Sequence, residues 1–88
     1  MIVKTYYNII LTEKEMDYLL EVMETYDATI DYSYSYKNEH YKIDAHREEF
    51  IGLYEALRSA YRDTEDNSER TKIIRELYYE IRLIVEGW

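Results

Sequence analysis

The chain has no cysteine, no proline and only two glycines, Gly52 and Gly87. Without cysteine there is no disulfide framework, no thiolate metal site and no cysteine nucleophile, so the fold stands on packing alone and the cytosol is the expected compartment. With so little proline and glycine, the usual punctuation of turns is missing, and boundaries have to be read from periodicity and helix caps. No window approaches the roughly 18 consecutive apolar residues of a membrane span. The first eleven residues are broken by Lys4 and Asn8, which is not the hydrophobic core of a secretory signal. Positive charge is scarce as well: 11 Lys and Arg stand against 19 Asp and Glu, a net charge of −8. Such a chain is repelled by phosphate backbones and by anionic membrane surfaces, which disfavours both as direct ligands.

What is present describes a folded domain. Apolar residues make up 47% of the 88 and charged residues 34%, with twelve tyrosines, a composition unlike the aromatic-poor, charge-rich disordered chains. The length suits one domain, residues 1–88, around one core. No internal repeat or low-complexity tract interrupts it. The acidic excess is local: between Glu13 and Asp31 seven carboxylates stand against one lysine, Lys14, for a net of −6.

Residues 2–11 are rich in Ile, Val, Thr and Tyr, with Val3, Tyr7, Ile9 and Leu11 alternating onto one side, as in a first strand. Thr12-Glu13-Lys14-Glu15 reads as a capping box, and Leu11 with Met16 has the spacing of a hydrophobic staple, so a helix starts at Glu13. Met16, Leu19, Leu20 and Met23 give its buried stripe, and Glu13, Asp17, Glu21 and Glu24 line up on a second, acidic stripe. From Thr29 the pattern alternates strictly, with Ile30, Tyr32, Tyr34 and Tyr36 on one face. A two-residue turn at Asn38-Glu39 sets Tyr36 opposite Tyr41, Tyr34 opposite Ile43 and Tyr32 opposite Ala45. From His46 the period is helical again, with Phe50, Leu53, Tyr54, Leu57 and Tyr61 on one stripe. After a polar break, Asp66 with Glu69, or Ser68 alone, caps a third helix that buries Ile73, Ile74, Leu77, Tyr78, Ile81, Ile84 and Val85 and ends near Gly87. The expected fold is α+β: order β-α-β-β-α-α, a three-stranded, mainly antiparallel sheet packed with three helices.

The residue types that carry catalysis are sparse. His40 and His46, with Asp44 between them, lack a third ligand, so neither a metal site nor a cofactor is expected. No nucleophile, glycine-rich phosphate loop or oxyanion element is recognisable, and the expectation is a protein that is not an enzyme. The acidic stripe Glu13, Asp17, Glu21, Glu24, with Asp27 and Asp31 beyond it, reads either as a solvated helix face or as a surface for a cationic partner. The scarcity of interleaved Lys and Arg favours the partner. A second cluster, Asp63, Glu65, Asp66 and Glu69, extends that surface if the two converge, and also suits the start of a helix by its charge. Tyr32, Tyr34, Tyr36 and Tyr41 are expected beneath the helices as core, leaving Tyr6, Tyr18 and Tyr79 as the candidates for exposed contacts. The apolar third helix with Trp88 after it offers a second possibility, a self-associating homodimer with a merely solubilising acidic face.

Small size, net negative charge, absent cysteine and many tyrosines together resemble the small acidic inhibitor proteins of phages and mobile elements, the DNA mimics and anti-CRISPR proteins. The likeness is one of general character and not of motif. It implies a stoichiometric inhibitor in the host cytoplasm that occupies the basic cleft of a nuclease or another DNA-binding protein.

Overall fold

A computed structural model of the chain describes residues 6–64 and 68–87. The elements run β1 (Tyr6–Thr12), α1 (Glu13–Thr25), β2 (Ser33–Lys37), β3 (His40–His46), α2 (Arg47–Asp63) and α3 (Glu69–Glu86). The sheet is antiparallel throughout with spatial order β1-β3-β2, so the fold is α+β with β3 in the centre. The expectations for Val3, Glu65, Asp66 and Trp88 lie outside the described residues.

Local chemistry fixes each junction. The Thr12 hydroxyl accepts the Glu15 amide at 3.2 Å and the Glu15 carboxylate accepts the Thr12 amide at 2.9 Å, a complete capping box that turns β1 directly into α1. At the far end, the Ala28 amide reaches the Met23 carbonyl at 2.8 Å and the Asp27 amide reaches the Glu24 carbonyl at 3.4 Å, with Asp27 at φ 53°. That is a Schellman motif with aspartate in the left-handed position glycine usually holds. The hairpin turn is two residues long, with Asn38 at φ 54° and Glu39 at φ 63°, the type I′ geometry that matches strand twist even without its preferred glycine. Its register is the expected one, Tyr36 opposite Tyr41 and Tyr34 opposite Ile43. Ser68 caps α3 through the Thr71 amide, and Gly87 closes it at φ 77°.

β2 begins at Ser33 and not at Thr29. The Asp31 amide is taken at 2.9 Å by the Glu49 carboxylate of α2 instead of a neighbouring strand, and Ile30 packs against the α2 backbone at Gly52. The chain there is stapled to a helix before it reaches the sheet.

All three helices gather on one face of the sheet. Ile9 and Leu11 of β1 and Ile43 and Ala45 of β3 are buried there under Met16, Leu19 and Val22 of α1, Phe50, Leu53 and Leu57 of α2, and Ile74, Leu77 and Ile81 of α3. The opposite face is open, with Tyr6, Ile10, His40 and Lys42 exposed. The apolar stripe of α1 is rotated from its expected place: Val22 is buried and Leu20 is 43% exposed. At about 100° per residue, Leu19 sits midway between Met16 and Val22, so a helix wedged between β1 and α3 buries that side and turns Leu20 outward.

Candidate partner-binding surface

Helices cover β1 and β3 but stop short of β2, all five residues of which are exposed. Tyr34 and Tyr36, expected in the core, therefore stand on the helical side of the sheet at 61% and 49% exposure. Tyr32 and Tyr41 are half-buried beside them, and the four rings touch in series: Tyr32–Tyr34 at 6.1 Å, Tyr34–Tyr41 at 6.0 Å and Tyr36–Tyr41 at 4.7 Å between centroids. The correction has a simple origin. Alternation placed these side chains on the right face, but three helices are too narrow a layer to roof the third strand.

This tyrosine ledge meets the acidic side of α1. The Tyr36 hydroxyl donates to the Glu13 carboxylate, and that bond holds the phenol above its ordinary pKa. Glu13, Asp17 and Glu24 are exposed on the same side of the helix, and neither Asp17 nor Glu24 has an ion-pair partner among the described residues. Leu20 stands among them, one turn from Asp17 and from Glu24. Tyr18, by contrast, is half-buried.

The described members of the second cluster, Asp63 and Glu69, come beside α1, and basic residues join the acids there. Arg70 of α3 donates from Nε at 3.0 Å and from Nη2 at 2.7 Å to one oxygen of Glu21. Lys14 meets Glu69 at 2.6 Å, which raises the lysine pKa above its ordinary value, chiefly through the hydrogen bond. Asp63 ends α2 and does not precede α3; it accepts a hydrogen bond from Tyr26, whose hydroxyl pKa rises in consequence. The counter-charge absent from the α1 sequence is thus supplied from across the fold, and Glu21, Asp63 and Glu69 all have intramolecular partners.

Asp27 and Asp31 leave the stripe. Asp27 is the left-handed cap of α1 and lines a cleft with Gly52, Glu55 and Ser59. Asp31 lines another with Tyr6, Ser33, Asp44 and His46, on the open side of the sheet. Among the described residues no group of three or more His, Cys, Asp or Glu is placed to hold a metal ion, and no helix is long and apolar enough to cross a membrane.

The surface that sequence reasoning missed is therefore Leu20 with Tyr34 and Tyr36. Leu20 sits where the apolar and acidic stripes overlap, a position that periodicity alone assigns to the core. In comparisons with protein families, curated proteins and solved structures, the chain matches none.

Proposed function

We propose that the protein is a non-catalytic binding protein, a stoichiometric inhibitor that lays Glu13, Asp17, Leu20 and Glu24 of α1 and the Tyr34–Tyr36 ledge on the Lys/Arg-rich cleft of a nuclease or another DNA-binding protein. One observation carries the reading: the Tyr36–Glu13 hydrogen bond merges exposed carboxylates and exposed aromatic rings into a single surface. Unpaired carboxylates steer a basic partner at long range, and tyrosines with a protruding leucine supply the desolvated contacts that slow dissociation.

The test is capture of partners from a bacterial lysate at low and moderate salt, followed by competition with duplex DNA. The control is Asp17→Lys with Glu24→Lys, which leaves the Glu21–Arg70 pair intact. A DNA-binding protein held by the original chain, released by DNA and lost from the control is the expected result. Equal retention by both chains, or retention indifferent to DNA, overturns the reading.

A further inference from the structure

The outer edge of β2, five residues long, is blunted only by Lys37 at its end. It has no proline and no bulge, its register with β3 running unbroken from Ser33 to Lys37, and its one charge comes at the last residue. The type I′ turn makes Lys37 and His40 a hydrogen-bonded pair, and alternation along the ladder then directs the backbone groups of Ser33, Ser35 and Lys37 toward β3. The amides and carbonyls of Tyr34 and Tyr36 point away from the sheet. Two such strands laid antiparallel about Ser35 bring Tyr34 of each copy opposite Tyr36 of the other, and every outward group finds a partner.

Charge supports this register. Lys37 then falls opposite Ser33 of the second copy, with Asp31 diagonally adjacent, within reach of a lysine. Asp31 lies on the same open side of the sheet as Ser33, and neither the Lys37 ammonium nor the Asp31 carboxylate has an ion-pair partner among the described residues. The two-fold axis makes the contact twice. Residues 32–38 also contain no acid, so the paired strands themselves add no like-charge contact.

We propose that two copies of this chain pair through β2 into a continuous six-stranded sheet, with Lys37 of each copy against Asp31 of the other. The axis is perpendicular to the sheet, so both helical layers stay on one side and the two tyrosine ledges lie side by side between the two α1 helices. The proposal goes beyond the partner reading and needs no partner.

Light scattering and sedimentation of the purified chain at increasing concentration test it. The expected result is a concentration-dependent dimer that Lys37→Glu and Asp31→Lys each weaken about tenfold or more, and that the double variant Asp31→Lys/Lys37→Glu restores. Circular dichroism establishes that each variant is folded. A monomer at every concentration, a dimer indifferent to Lys37→Glu, or a double variant as weak as the singles overturns the proposal. Each of these outcomes leaves the acidic surface on α1 untouched, so the partner reading is judged separately.

Discussion

The Tyr36 hydroxyl donates to the Glu13 carboxylate, tying the Tyr36–Tyr41 pair of the hairpin to the first turn of α1. It is one of several phenols whose protonated form the fold favours. Tyr26 gains the same kind of bond to Asp63, Tyr54 is pushed up to about 12 chiefly by its hydrogen bond with Tyr78, and Tyr79 is raised by its hydrogen bond with Tyr61. A folded-state pKa above the unfolded value gives stability that is complete below the unfolded value and is lost as pH rises through the folded one. Denaturant midpoints should therefore hold up to about pH 10 and fall between there and about 12. Tyr54→Phe keeps the ring stacked on Tyr78 and should flatten part of that fall; a profile identical to the parent's would count against the assignment.

Thr12 serves two elements at once, as the last residue of β1 and the N-cap of α1. Thr12→Ala removes the acceptor for the Glu15 amide and leaves the Glu15 carboxylate only half of its reciprocal pair. The expected cost is about 1 kcal/mol of unfolding free energy, measured by urea titration, with no change in slope.

Asp27 tests whether a carboxylate in the acidic region is there for charge or for shape. Its φ of 53° is a conformation that glycine adopts freely and that costs other residues about 1 kcal/mol, offset in part by glycine's greater freedom when unfolded. Asp27→Gly should stabilise the protein by about 0.5 kcal/mol and leave partner capture unchanged. Destabilisation would count against the strain at this cap, and a loss of capture would return Asp27 to the binding surface.

What was legible in the residues alone was governed by local rules. The capping box at Thr12, the register of the hairpin, the order of elements and the cap at Ser68 all depend on neighbours in sequence. The misreadings depend on what lies across the fold. Arg70 reaches Glu21 from a helix that begins 48 residues later in the chain, so the α1 sequence looked barer of counter-charge than the folded helix is. Tyr34 and Tyr36 alternate like core residues, and only the width of the helical layer leaves them uncovered. Asp31 follows the acidic helix in sequence but lands on the opposite side of the sheet, on the face it shares with Ser33.

Leu20 and Val22 separate packing from binding within a single helix. Val22 is wholly buried, so Val22→Ala should cost about 1.5–3 kcal/mol in lost burial and cavity formation. Leu20 is 43% exposed between Asp17 and Glu24, and Leu20→Ala should change stability by less than about 0.5 kcal/mol. If Leu20 anchors the complex, its truncation should nonetheless speed dissociation from the captured partner while leaving the salt-dependent association rate unaltered, since the carboxylates that steer encounter remain. Surface plasmon resonance at two ionic strengths resolves the two rates. A Leu20→Ala variant that melts several degrees lower and dissociates no faster would place the leucine in the core after all and remove it from the binding surface.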